Sequence, residues 1–231
     1  MREIVLDTET TGFEPSEGHR LVEIGCVELL NHMPTGRTYH QYLNPQRDMP
    51  PEAMAVHGLT EDFLRPMPVF ARVAEDFLRF VEGARLIIHN AAFDMKFLNA
   101  ELSRIGKAAL RNEVVDTVAM ARRKFPGSPA SLDALCRRFG IDNSSRTLHG
   151  ALLDSQILAE VYLELIGGRQ PDFALATAAT PNRSAVSVET GWKPRPRATP
   201  LPPRLSEDEA AAHAAMVRSL GDKALWRRHE G

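Results

Sequence analysis

The chain opens on an apolar run, Ile4 to Leu6, whose length and pattern predict a short buried strand. Two acids one residue apart, Asp7 and Glu9, follow it, and then the polar turn Thr10-Thr11-Gly12. Leu21 to Leu30 predicts a second strand, Pro34-Thr35-Gly36 a turn, and Thr38 to Leu43 a third strand. Three successive strands with short turns suggest an antiparallel meander. Pro50-Pro51-Glu52 opens a short helix, with proline suited to its first turn, and Thr60 caps the next one. Phe70, Val73, Ala74, Phe77, Leu78 and Val81 recur at helical spacing, and Gly83 closes that helix.

Strands then alternate with helices. Leu86 to Ile88 is a buried strand that runs into a helix with Phe93, Phe97, Leu98, Leu102 and Ile105 on its apolar side. Val114-Val115-Asp116 is a strand end, with Thr117 opening a helix, and Ser131 caps a helix through Leu132, Leu135 and Phe139. A long helix runs through Ile157, Leu158, Val161, Tyr162 and Leu165 and stops at Gly167-Gly168. Apolar periodicity ends there. Residues 168 to 205 hold seven of the sixteen prolines, six Lys or Arg and two acids, which reads as a flexible, mildly basic linker. From Ser206 a last helix is expected, interrupted by Gly221 and followed by Leu225-Trp226.

Composition narrows the function less than the pattern does. A chain of 231 residues is one ordinary domain with a remainder. A net charge of −2 makes it no polycation, so contact with nucleic acid would rest on metals and a local patch. The two cysteines, Cys26 and Cys136, each sit in an apolar segment and form no disulfide framework. The first residues enter a strand without a charged-then-apolar leader, and no apolar run approaches a membrane span. A cytoplasmic protein with no membrane partner is expected.

The acids carry the candidate chemistry. Residues i and i+2 of a strand point the same way, so Asp7 and Glu9 project to one side. Like charges that close repel unless a cation lies between them, and hard oxygen ligands suit Mg²⁺ or Mn²⁺. Alone, the Asp-x-Glu pair is better read as a strand followed by a polar turn, with Asp7 capping something nearby. Asp94 lies in the first turn of its helix, where it either complements the helix dipole or faces the strand ends. Asp154 stands among leucines, and a buried charge must be paired or metal-bound. Asp116 reads as a helix cap and His57 alone as structural; Glu23 and Glu28 could be further ligands, but a partly solvated sheet face explains them as well and is the reading taken. Four carboxylates and one histidine, His149, suit two-metal phosphodiester hydrolysis, in which cations about 3.5–4 Å apart clamp the attacking and leaving oxygens. A histidine that is not a ligand can then take the proton from the attacking water.

Asp7-Thr8-Glu9-Thr10-Thr11-Gly12, His89-Asn90-Ala91-Ala92-Phe93-Asp94 and His149-Gly150-Ala151-Leu152-Leu153-Asp154 resemble the three motifs of the DEDDh 3′→5′ exonucleases. The likeness covers residues 3 to 168 and is strongest to the epsilon-type proofreading members that serve bacterial DNA polymerase III. It implies an α/β, ribonuclease H-like fold: a mixed five-stranded sheet flanked by helices. It implies two Mg²⁺ or Mn²⁺ ions held by Asp7, Glu9, Asp94 and Asp154, with His149 as the general base. It implies that Asp7, Glu9, Thr10, Glu52, Val56, His57 and Asp154 contact a single-stranded or frayed 3′ DNA end, and that a nucleoside 5′-monophosphate is released.

The same likeness divides the chain into a nuclease domain, residues 1–168, a proline-rich linker, residues 169–205, and a tail, residues 206–231. Gln170, Phe173 and Leu175 resemble a sliding-clamp-binding peptide, and the tail is expected to bind the catalytic alpha subunit of the polymerase. An RNA-trimming exonuclease of the same fold would carry identical motifs. A non-catalytic scaffold in a replication complex would not need four intact acids.

Overall fold

The computed structural model describes residues 1–144, 146, 148–168 and 206–220. Gln170, Phe173 and Leu175, most of the linker and the Leu225-Trp226 ending lie outside the described residues.

Strand β1 spans Arg2–Thr10, β2 Leu21–Leu30 and β3 Met33–Tyr42. Strand β4 spans Arg85–Ile88 and β5 Val114–Asp116. The sheet order is β3-β2-β1-β4-β5. Pairing is antiparallel for β1 with β2 and β2 with β3, and parallel for β1 with β4 and β4 with β5. This is the mixed five-stranded ribonuclease H-like sheet expected. The helices are α1 Pro51–His57, α2 Glu61–Leu64, α3 Phe70–Val81, α4 Ala91–Arg104, α5 Thr117–Lys124, α6 Leu132–Phe139, α7 Ala151–Leu165 and α8 Glu207–Ser219. Among the described residues, no helix is long and apolar enough to cross a membrane.

Alternation along β1 sorts its side chains between two apolar layers. Ile4 and Leu6 join Phe77 of α3 and Phe97 of α4 on one face. Val5 joins Leu158 and Val161 of α7 on the other. Odd-numbered positions of β1 therefore face α7, and even-numbered ones face α3 and α4. Helix α7 is fastened along that face at two points. The Tyr162 hydroxyl donates to Glu3 Oε1 at 2.7 Å, and the Ser155 hydroxyl donates to the Gly25 carbonyl at 2.9 Å.

Several expectations are corrected. Strand β1 does not end at the acids but continues through them to Thr10, in unbroken register with β2 as far as Glu9 and with a register shift before Thr10. The turn between β2 and β3 is not Pro34-Thr35-Gly36. It is Asn31-His32, both with positive φ (50° and 67°), the geometry that suits a two-residue hairpin turn between right-twisted strands. Pro34 to Gly36 instead belong to edge strand β3, where the register shifts and proline is tolerated. Glu23 and Glu28 are not solvated: they are 3% and 4% exposed. Glu28 accepts from Arg2, Thr35 and Arg37, and Glu23 meets His40 Nε2 at 2.7 Å. Buried carboxylates need such partners.

The caps match their prediction. Thr60 accepts from the Phe63 amide, Ser131 from the Ala134 amide, and Asp116 from the amides of Val118 and Ala119. Both cysteines are buried and free.

Candidate active site

The acids gather at the carboxyl end of β1. Asp7 and Glu9 occupy odd positions and so face α7, whose first turn carries Asp154. Thr8, between them, faces the other layer, and its hydroxyl donates to Asp94 Oδ1 at 2.7 Å. Asp94 stands in the first turn of α4, directly after β4, and β4 lies parallel and next to β1. Two helices on opposite faces thus deliver one acid each to the end of the same strand. Of the two readings open for Asp94, the one facing the strand ends is found.

The approach of α7 depends on a glycine inside an apolar strand. A β-carbon on Gly25 would lie 2.2 Å from the backbone of Ala151 and Leu152. Gly25 pairs with Asp7 in the β1–β2 register, so this contact sets the start of α7 beside the first acid. The sequence carried a signal for it, since glycine within a strand marks a close backbone approach.

Electrostatics follow from burial and crowding. Asp94 and Asp154 are each 3% exposed and Glu9 is 8% exposed. Burial, then the charges of Asp94, Glu9 and Asp154, raise Asp7 well above the usual carboxylate range. Burial, then Asp154, Glu23 and Asp94, push Glu9 up to about 8. Burial pushes Asp94 up to about 7, against the Thr8 hydrogen bond, which favours the ionised form. A site that holds its acids back from ionising is one that a cation would relieve.

His149 sits at the mouth with its side chain 49% exposed. Its amide donates to the Val56 carbonyl at 3.1 Å, which ties the histidine to α1. Ligand atoms of Glu9, His149 and Asp154 all lie within 4.8 Å of one another. Arg146 also enters the cluster, although no local pattern marked it. Its Nε and Nη2 both donate to Asp154, the latter at 2.8 Å, and its Nη1 donates to Asp133 at 2.9 Å.

Beside the acids is a cavity of ≈ 350 Å³ lined by Glu9, Thr10, Glu52, Val56 and His57 among others. Five of the seven sequence-predicted contacts therefore line it, and Asp7 and Asp154 are not among its lining residues. His57 is buried, and burial lowers its pKa. Its Nδ1 accepts from the Leu59 amide at 3.0 Å, which leaves the proton of the neutral ring on Nε2. That Nε2 is buried beside the Thr10 backbone carbonyl, whose hydrogen bond favours the protonated ring. The Thr10 hydroxyl donates to the Gly12 carbonyl at 2.6 Å.

The family described as "Exonuclease" matches residues 4–162, which include all four acids and His149. The chain is 46% identical over 224 residues to the DNA polymerase III subunit epsilon of Rickettsia felis, covering 95% of this chain and 97% of the relative. The chain belongs to this exonuclease family. As a 3′→5′ exonuclease it hydrolyses phosphodiesters, and the acid cluster lies within the matched region. Among solved structures, one described as exonuclease X in complex with 5′ overhanging duplex DNA is 26% identical, with a TM-score of 0.56, covering 71% of this chain and 90% of that one. The nuclease domain of 3′hExo, described as a DEDDh family member bound to rAMP, gives a TM-score of 0.62 at 20% identity, covering 71% and 91%. That likeness shows that the exonuclease shares its fold.

Proposed function

We propose that this exonuclease proofreads DNA synthesis as a polymerase subunit, removing nucleotides from single-stranded or frayed 3′ ends as 5′-monophosphates. The observation that carries the chemistry is the convergence of Asp7, Glu9, Asp94 and Asp154, with raised pKa values at Asp7, Glu9 and Asp94 and with His149 beside Glu9 and Asp154. Among the described residues Arg146 is the one cation hydrogen-bonded to these four carboxylates, through Asp154, and the all-oxygen donor set fits Mg²⁺ or Mn²⁺. When bound, two such cations supply a clamp for the attacking and leaving oxygens of an in-line displacement.

The remaining roles belong to the chain. Asp7, Glu9, Asp94 and Asp154 would hold the cations. His149 takes the proton of the attacking water, and its place at the open mouth lets that proton pass to solvent. The cavity walled by Thr10, Glu52, Val56 and His57 receives the terminal nucleotide. His57, on the wall of that cavity, donates a hydrogen bond to the nucleotide through Nε2–H.

Residues 1–168 are the nuclease domain in this reading, 169–205 the linker and 206–231 the tail. The linker and tail favour a polymerase subunit over a free-standing RNA trimmer. Helix α8, in the second unit of the chain, has a complete capping box between Ser206 and Glu209, and leaves Met216 and Leu220 about half exposed. A lone helix of this length is marginal in water, so those side chains suit a partner surface, here the polymerase alpha subunit. Residues 170–175 would hold the sliding clamp.

The test is hydrolysis of labelled single strands and mismatched primers, in DNA and in RNA, with and without Mg²⁺. Metal-dependent removal of 3′ nucleotides from DNA is expected, and preference for RNA would overturn the proofreading role. Deleting residues 206–231 should abolish co-purification with the alpha subunit while free single strands are still hydrolysed.

A further inference from the structure

Arg146 is 9% exposed at its side chain and is the one cation hydrogen-bonded to the acid cluster among the described residues. It grips both oxygens of Asp154, through Nε to Oδ1 and Nη2 to Oδ2. The same Nη2 lies 3.1 Å from His149 Nδ1 and 3.3 Å from Nε2. Its Nη1 is anchored on Asp133, which is half exposed at the start of α6. A guanidinium thus covers both oxygens of a carboxylate that, in the proposed function, must bind a metal. Both contacts cannot use the same lone pairs at full strength.

We infer that Arg146 is a built-in counter-cation that neutralises Asp154 before metal binds and is exchanged for the metal, remaining tethered to Asp133. This rests on Asp154 being a metal ligand. The geometry gives the arginine two partners of different burial. Asp154 is 4% exposed at its side chain and Asp133 is 46% exposed. Without a metal, the buried carboxylate needs the guanidinium, because an unpaired buried charge is costly. With a divalent ion on Asp154, that need disappears and like charge disfavours the guanidinium there. The tether on Asp133 keeps the released side chain at the rim, where it faces incoming phosphates.

The exchange has a signature that a supporting residue would not give. Loss of a group that merely orients metal ligands typically weakens metal binding by about 10–100-fold. Loss of a competing cation tightens it. Mn²⁺ binding to the full chain, read from the free-ion EPR signal, should be about tenfold tighter in Arg146→Ala than in the wild type. Arg146→Gln, closer in size, should tighten it in the same direction. Thermal unfolding supplies the second readout. Arg146→Ala should melt below the wild type in EDTA and level with it in saturating Mn²⁺, since the ion then occupies the place of the lost charge. Unchanged or weaker Mn²⁺ binding in both variants overturns the exchange. So does a melting loss that persists in saturating Mn²⁺, or an Arg146→Ala chain that stays unfolded there. Asp154→Asn separates the two levels of the claim. If it loses an Mn²⁺ while the Arg146 variants fail to tighten, the exchange is wrong and the ligand assignment stands. If it binds Mn²⁺ as the wild type does, both are wrong.

Discussion

Ala151 and Gly25 touch backbone to backbone: a β-carbon built on the glycine would stand 2.2 Å from Ala151 and Leu152. The start of α7, and with it Asp154, reaches β1 only because position 25 has no side chain. Gly25→Ala should therefore push α7 outward. A cost of about 1–3 kcal/mol is expected for overpacking, together with a loss of exonuclease activity larger than the loss of stability accounts for. Denaturant unfolding and hydrolysis of a labelled single strand measure the two separately. Wild-type activity in a folded Gly25→Ala chain would show that the contact does not position Asp154.

Thr8 fixes Asp94 from the far side of the strand. Removing the hydroxyl in Thr8→Val leaves a buried carboxylate with one donor fewer, which should cost about 1–3 kcal/mol. The same loss should weaken Mn²⁺ binding by about 10–100-fold, because Asp94 loses its orientation. Calorimetric titration with Mn²⁺ checks this, and an unchanged affinity would count against it.

Raised carboxyl pKa values set a pH dependence with a definite sign. Below the ordinary values, 3.8 for Asp and 4.5 for Glu, the acids are protonated in the folded and unfolded chains alike. Above them the unfolded chain has released protons that the folded chain still holds, up to about 7 for Asp94 and about 8 for Glu9. The folded state binds more protons in that window, so stability falls as pH rises through it. The metal-free protein should lose melting temperature between pH 5 and about 8, and saturating Mg²⁺ should flatten the loss. Glu9→Gln should raise stability in EDTA at pH 8 by about 1–3 kcal/mol, do little at pH 5, and abolish hydrolysis. Melting curves at the two pH values decide it.

His149 is half exposed and lies at the mouth, so its removal should leave the fold intact. His149→Ala should lower kcat by about 10²–10⁴ while Mn²⁺ still binds. If metal affinity and activity fall together, His149 is a ligand and not the base.

The sequence by itself determined most of the elements and the identity of the acids. Periodicity of 2 and 3.6 places strands and helices because each element must bury one face. Capping is equally local: Thr60, Asp116 and Ser131 satisfy amides two or three residues away. The three motifs pointed to Asp7, Glu9, Asp94 and Asp154, though for Asp94 the local pattern left a dipole role open. Local strength also misled. Pro34-Thr35-Gly36 is a stronger turn signal than Asn31-His32, yet the register of β2 with β3 put the turn at the latter.

Tertiary structure alone decided what each acid meets. Glu23 and Glu28 look like surface residues until His40, Arg2, Thr35 and Arg37 close over them. Thr8 and Asp94 are 86 residues apart in the chain, and Gly25 and Ser155 are 130 apart. Arg146 has no periodic or motif position that would aim it at Asp154. Charge interactions act through space and burial, and both depend on which elements pack together, whereas helix and strand propensities act between neighbours along the chain.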